Sequence, residues 1–266
     1  MDLDKLPLGK RTTYPKKYDP SLLVGISRQE SRTRSGISIE DNPFYGLDSW
    51  TAYELSWLDI EGIPNNGVLY TAYESSSEKF IESKSLKLYL NSINNKKFGA
   101  REDLLSLIKN DLEQCISNEV QIEIRNTPKE FIKGNKSVNL LKGSLENTKE
   151  EALWVNSNTI TEEIACDVFR SLCPVTGQPD WATIRINYSG KHINYRKLLK
   201  YLLSYRNKQA FHEECVEKIF VDITEFCKPD DLTVTANYMR RGGIELNPVR
   251  SSVKEFNREI LREIKQ

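Results

Sequence analysis

Residues Ser171-Leu-Cys-Pro-Val-Thr-Gly-Gln-Pro-Asp-Trp181 set one thiol beside a proline and one carboxylate seven residues further on. Pro174, Gly177 and Pro179 hold the stretch out of helix, so it reads as a short rigid loop. A thiolate adds to an electrophilic carbon, and a carboxylic acid can deliver the proton that such an addition requires. Cys173 and Asp180 therefore suit covalent catalysis. On spacing alone a second role stays open, because an unpaired cysteine also serves as a small buried hydrophobe. Cys166, Cys215 and Cys227 fall in helix-like patterns and read as packing.

Three further polar groupings stand out. Glu82-Ser83-Lys84 opens a helical pattern, so Glu82 is either a carboxylate serving the helix dipole or a ligand-binding group. His212-Glu213 is either a helix start or part of a pocket. Arg240-Arg241-Gly242-Gly243 is either a turn or a cradle for phosphate. Lys84 and Lys87 ordinarily belong to a solvated face. Should Glu82 and Glu213 share one pocket, two carboxylates would suit a flat heterocycle bearing several N–H donors.

The elements that must position these groups repeat along the chain. Lys84-Ser-Leu-Lys-Leu-Tyr-Leu-Asn-Ser92 aligns with Arg196-Lys-Leu-Leu-Lys-Tyr-Leu-Leu-Ser204 at an offset of 112 residues. Leu86 meets Leu198, Tyr89 meets Tyr201 and Leu90 meets Leu202; with one residue inserted, Phe98 meets Phe211. On this alignment His212-Glu213 falls where the first copy has Gly99-Ala100. Each copy has helical spacing and follows strand-like sequence, Val68–Tyr73 in the first half and Trp181–Tyr188 in the second. A second helix pattern comes next, Ala100–Leu112 and Phe211–Phe226, and alternating runs close each unit: Val120–Ile124, then Leu232–Tyr238 and Gly243–Leu246. The fold class is α+β, with two units of antiparallel sheet each backed by two helices. Units packed edge to edge about a pseudo-twofold axis would bring Glu82 of one half to Cys173, Asp180, His212 and Glu213 of the other. The domains read as 1–125, a polar linker or insertion over 126–160, and 161–266.

Composition narrows the function. The 266 residues carry 38 basic and 38 acidic side chains, so no overall field draws the protein to nucleic acid or membrane. The basic excess in residues 1–34 reads as a solvated arm that wraps a neighbour. Met1-Asp-Leu-Asp-Lys-Leu-Pro7 is no signal peptide, and no apolar run is long enough to span a bilayer. Five cysteines without a C-x-x-C pair, with two histidines, favour reduced thiols over disulfides or a zinc site. A cytoplasmic protein without a catalytic metal is expected. No G-x-G-x-x-G sits in a strand-turn-helix context, so any dinucleotide binds outside a Rossmann fold.

Glu82–Tyr89, Ser171–Trp181, Phe211-His-Glu213 and Arg241-Gly-Gly-Ile-Glu-Leu-Asn-Pro248 resemble, in order, four segments of the NADPH-dependent 7-cyano-7-deazaguanine reductases, the nitrile reductases of queuosine biosynthesis. The resemblance spans nearly the whole chain and follows the family's longer, two-module form. It implies tandem tunnelling-fold (T-fold) modules that close a barrel by oligomerisation, with a homodimer expected. It implies reduction of a nitrile to a primary amine with two NADPH, through a covalent thioimide on Cys173. Asp180 is then the proton donor, and His212 orients substrate or moves a proton. Ile81, Glu82, Ser83, Phe211, His212 and Glu213 hold the deazaguanine, while Ser83, Lys84, Arg241 and Gly242 meet NADPH. Other readings are a second T-fold purine or pterin enzyme, such as a zinc-dependent cyclohydrolase, and a non-catalytic purine- or RNA-binding module.

Overall fold

A computed structural model describes residues 14–37, 43–131, 137–146, 154–258 and 262–266. The opening residues 1–13 and parts of the 126–160 stretch lie outside the described residues.

The first half runs β1 (Gly25–Ser27), α1 (Arg28–Arg34), β2 (Tyr45–Leu58), β3 (Pro64–Glu74), β4 (Lys79–Ile81), α2 (Ser83–Ile93), α3 (Arg101–Ile116) and β5 (Gln121–Arg125). Next come β6 (Val138–Asn139) and α4 (Leu140–Glu146). The second half is β7 (Val155–Leu172), β8 (Pro179–Ile193), α5 (Tyr195–Leu203), α6 (His212–Cys227), β9 (Asp231–Tyr238) and β10 (Ile244–Ser251). The stretch read as linker thus contains β6, α4 and the start of β7, and Cys166 lies in strand β7 rather than in a helix.

Apart from a two-stranded antiparallel sheet of β1 and β4, the strands of the two halves join in one sheet. One eight-stranded sheet has the order β5-β3-β2-β10-β9-β8-β7-β6, antiparallel except where β6 runs parallel to β7. The join is β10 against β2, in register from Ile244↔Ala52 to Ser251↔Tyr45. Edge-to-edge packing is therefore present, but β5-β3-β2 and β9-β8-β7 follow one another in the same order across the sheet. The halves are tandem copies in one sheet. The fold class is α+β with a large antiparallel sheet.

Helical periodicity explains how the helices sit. In α3, Leu104, Ile108, Leu112 and Ile116 recur every fourth residue and are all fully buried, each contributing about 1.5–3 kcal/mol by apolar burial. In α2, Leu86, Tyr89, Leu90 and Ile93 form the inward face. The repeat is visible in hydrogen bonds as well as in sequence. Tyr89 OH donates to Asp111 (2.6 Å) and Tyr201 OH to Asp222 (2.7 Å). Ser92 Oγ and Ser204 Oγ each donate to the tyrosine carbonyl three residues earlier. Both second helices end on a non-glycine residue in left-handed conformation, Ser117 (φ 55°) and Lys228 (φ 48°).

These pairs also correct the alignment. The offset is 112 at the first helix and 111 at the second, so the second half is one residue shorter there rather than one longer. The helix caps match Ala100 to Phe211, whose backbone N–H groups donate to Asp103 (3.2 Å) and Glu214 (2.9 Å). The counterparts of His212-Glu213 are accordingly Arg101-Glu102, not Gly99-Ala100, and Phe98 is not the partner of Phe211.

The core divides into two apolar clusters, one per half. Four residues of the second half, Cys173, Phe211, Ile244 and Leu246, pack into the cluster of the first. That is where the two halves mesh. Among the described residues no helix is long and apolar enough to cross a membrane.

Candidate active site

Cys173–Gln178 is the turn joining β7 to β8. Cys173 N–H donates to the Gln178 carbonyl (2.9 Å) and Gly177 N–H to the Cys173 carbonyl (3.0 Å). Gly177 sits at φ +68°, a conformation that glycine adopts without a Cβ clash. The turn is anchored to the chain that enters α6: Leu172 N–H donates to the Lys208 carbonyl and Ala210 N–H to the Leu172 carbonyl. This pairing is what brings the thiol and the first turn of α6 to one place.

Asp180 follows at the start of β8, opposite Ser171, and is 4% exposed. Its Oδ1 accepts from Arg241 Nη1 (2.8 Å), and His212 Nε2 lies 3.3 Å from Oδ2. Arg241 also donates to Gln178 Oε1, tying the β9–β10 turn to the cysteine turn. That turn needs its glycines. Arg241 and Ile244 exchange both backbone bonds around Gly242 (φ +58°) and Gly243 (φ +80°), a two-residue hairpin with both central φ angles positive. A Cβ on Gly243 would stand 2.6 Å from the Glu54 carboxyl carbon.

Glu213 is buried, and its Oε1 has no hydrogen-bond partner among the described residues. Burial pushes its carboxyl well above the usual carboxylate range, and the nearby Asp48 charge adds to that. An unpaired buried acceptor at a cavity wall is a place for a ligand N–H. Glu82 is different. Its carboxylate caps α2, accepting from Lys84 N (2.8 Å) and Ser85 N (2.7 Å), and burial raises its pKa against those bonds.

Cys173, Asp180, Phe211, His212 and Glu213 from the second half, with Ile81 and Ser83 from the first, line one cleft of about 30 Å³. Glu82, between Ile81 and Ser83, is not among the residues that line this cleft; its carboxylate caps α2 and keeps acceptor capacity beyond the two backbone bonds. The cleft shares Ser83, His212 and Arg241 with a wider cavity of about 420 Å³, which Lys84, Lys87 and Gly242 also line. Lys87, read as a solvated residue, donates there to the Gly242 carbonyl and lies 3.3 Å from Glu54 Oε2.

Two features escaped sequence reasoning. Trp50 and Leu246 form the apolar wall common to both cavities. Trp50 Nε1 and Ile81 N–H both donate to Tyr73 OH, each at 3.1 Å, which fixes that wall to β4. Behind Glu213 lies a buried ionic network. Asp48 bonds Arg28 (2.5 Å) and Arg250 (2.8 Å); Glu217 bonds Arg250 (2.8 Å) and Arg32 (2.9 Å). Burial would raise Asp48 and Glu217, but the arginines beside them outweigh it and hold both carboxyls below their ordinary values. The available signal was a charge inside alternating strand sequence, Asp48 before Trp50 and Arg250 after Val249.

Comparison with known proteins gives the family. The family pattern described as "Nitrile reductase, 7-cyano-7-deazaguanine-reductase N-term" matches residues 14–124, and "QueF-like protein" matches residues 179–257. The class is thus a nitrile reductase built from two related halves. Proteins named NADPH-dependent 7-cyano-7-deazaguanine reductase from Coxiella burnetii (strain CbuK_Q154) and Desulfotalea psychrophila are 39% and 42% identical. The first match covers 99% of this chain and 97% of the relative, the second 94% of each. The chain belongs to the 7-cyano-7-deazaguanine reductase family. A solved structure titled as the archaeosine synthase QueF-Like in the apo form aligns at a TM-score of 0.32 and 19% identity, over 36% of this chain and 94% of that one; the likeness is too slight to argue from.

Proposed function

We propose that the protein reduces the nitrile of 7-cyano-7-deazaguanine to the aminomethyl group, drawing on two NADPH per product, as a step of queuosine biosynthesis. The observation that carries the reading is the meeting of Cys173, Asp180, His212 and the unpaired Glu213 carboxyl on one cleft.

Cys173 adds to the nitrile carbon as thiolate, forming a C–S bond and a covalent thioimide. The nitrile nitrogen takes a proton as that bond forms, and Asp180, the carboxyl beside the cysteine turn, supplies it. Asp180 is in contact with Arg241 and His212, and the proton returns to it through the imidazole. Glu213 accepts ring N–H bonds of the deazaguanine. Phe211, held edge-on to Phe80 at 5.4 Å between ring centres, closes over the ring. Ile81 and Ser83 present backbone and hydroxyl groups from the first half, and Glu82 supports them by fixing the start of α2.

NADPH supplies hydride when bound. The wider cavity fits it in the chemistry of its donors, since Lys84, Lys87 and Arg241 provide cations for phosphate and Ser83 and Gly242 lie among them. The wall that the two cavities share supports this reading, since it sets the wider cavity beside the cleft. A closed cleft also shields an imine from water between the two reductions.

Residues 1–125 and 161–266 are T-fold modules in this reading. The edge of β5, unpaired among the described residues, and the short β6 at the opposite end are where a second copy would complete the sheet as a homodimer. Mixing protein, NADPH and the nitrile should consume NADPH with two oxidised per amine formed. No nitrile-dependent oxidation would end the proposal.

A further inference from the structure

The His212 ring lies flat on the ring of Tyr238, with centroids 3.7 Å apart and planes 9° from parallel. Aromatic pairs usually meet offset or edge-on with centroids about 4.5–7 Å apart, because two π faces repel. A close parallel stack instead suits a ring that carries positive charge during its work, since a cation is drawn to a π face. Tyr238 has no freedom to turn away. It is the last residue of β9, 1% exposed, paired with Ala182 in the sheet and backed by Phe169 at 6.4 Å and 82°. Its carbonyl accepts from Gln266 Nε2 (2.9 Å). Its hydroxyl points away toward Ser171 and Cys215 and stays protonated, because burial pushes it well up. The contact with His212 is therefore made by the ring and not by the hydroxyl.

His212 itself sits at the first position of α6, and its polar partner is Asp180, at 3.3 Å from Nε2. A working imidazole is commonly held in plane by a hydrogen bond on its second nitrogen. Here the aromatic face does that task. We propose that Tyr238 is a positioning residue: its ring fixes the plane of His212 so that Nε2 stays aimed at Asp180 Oδ2, and it meets the charge that the imidazole acquires as a proton passes between the two. The step moves one proton between Nε2 and Oδ2 and breaks no other bond. It rests on the nitrile-reductase reading for its chemistry, but the stack can be measured without that reading. The groups facing this pair are Arg241 on Asp180 and Cys173 and Glu213 across the cleft.

The test compares Tyr238→Leu with Tyr238→Phe. Leu should lower kcat roughly tenfold or more by letting the ring tilt, leave KM for NADPH within about twofold, and move the pH profile of kcat. Phe keeps the aromatic face and should restore both kcat and the profile. Only two histidines occur in the chain, so a His192→Gln background assigns the His212 ring protons by NMR. Their upfield ring-current shift should persist in the Phe variant and vanish in the Leu variant whether or not turnover is present. Equal kcat and equal pH profiles in the two variants would overturn the proposal, as would an unshifted His212 signal in the parent protein. A shifted signal in a parent protein that does not react with the nitrile would overturn the functional reading and the catalytic role of the stack with it, leaving the stack as packing.

Discussion

The first helix of each half begins at an equivalent position with a different cap. In the first half Glu82 closes α2 with a carboxylate that accepts two backbone N–H groups; in the second Asn194 closes α5 with an amide oxygen that accepts one, from Lys197 at 3.1 Å. The second helices differ more. Arg101-Glu102 opens α3 in the first half, and His212-Glu213 opens α6 in the second, where the imidazole reaches Asp180 and the carboxyl is buried at the cleft wall. What both halves keep is the scaffold: the Tyr–Asp bond between paired helices, the Ser-to-carbonyl bond at the end of the first helix, the left-handed stop after the second. What they do not share is the residues that line the cavities. The first contributes Ser83, Lys84 and Lys87 to the cavities, and the second contributes the thiol, the acid and the imidazole. Duplication of a fold unit thus separates residues that hold the sheet from residues that line the cleft.

That contrast breaks most sharply at the cysteines. Cys173→Ala should lower turnover by on the order of 10³-fold or more, as removal of a covalent nucleophile does. Cys115→Ala, in α3 of the first half, should leave turnover unchanged. Steady-state kinetics on both decides it; comparable losses would dissolve the division of labour.

Stability should be most sensitive where the halves are joined. Arg250→Ala leaves Asp48 and Glu217 buried without their shared cation and should cost about 3–5 kcal/mol in chemical denaturation. The pH dependence follows from the lowered carboxyl values. A carboxylate whose folded pKa is depressed adds stability above its unfolded value, roughly pH 4, and loses it as pH falls through the folded value. The parent protein should therefore lose stability steeply below about pH 4, and the Arg250→Ala variant should lose less over the same range.

Glu213 carries the opposite sign. Its raised folded pKa favours folding at low pH, and that contribution disappears as pH rises through the folded value. Glu213→Gln should therefore raise Tm by roughly 2–4 °C near neutral pH, an advantage that fades in acid. The same change should weaken nitrile binding about tenfold or more, because it sets an amide donor where the carboxyl offers an acceptor. A stabler protein that binds poorly marks a functional residue. The smallest effect belongs to the caps: Asn194→Ala should cost about 1 kcal/mol of stability and leave binding alone, whereas Glu82→Gln should also raise KM by displacing Ile81 and Ser83.

How far the sequence was legible follows the same division. Helical periodicity in Leu86–Ile93 and Leu198–Tyr205 exposed the repeat, because residues that pack a helix on a sheet recur with the helix. The Cys173–Asp180 turn was legible because Pro and Gly mark their own backbone. The alignment erred by two residues at His212, since a one-residue deletion in the connecting loop leaves no trace in helical spacing. Edge-to-edge packing was expected, but not which strands make the join: β10 and β2 are far apart in sequence, and no local pattern says which strand edges meet. The Asp48–Arg250 pair was missed similarly, for its partners converge only in three dimensions. Glu82 was open between cap and ligand; its hydrogen bonds show the cap, which a carboxylate can combine with binding a ligand.

The most direct test of the account is intact-mass analysis of the protein mixed with 7-cyano-7-deazaguanine in the absence of NADPH, followed by peptide mapping. The account predicts one added nitrile per chain, carried by the peptide containing Cys173 and missing from the Cys173→Ala variant. An adduct that survives that substitution, or that maps to Cys115, Cys166, Cys215 or Cys227, would contradict it.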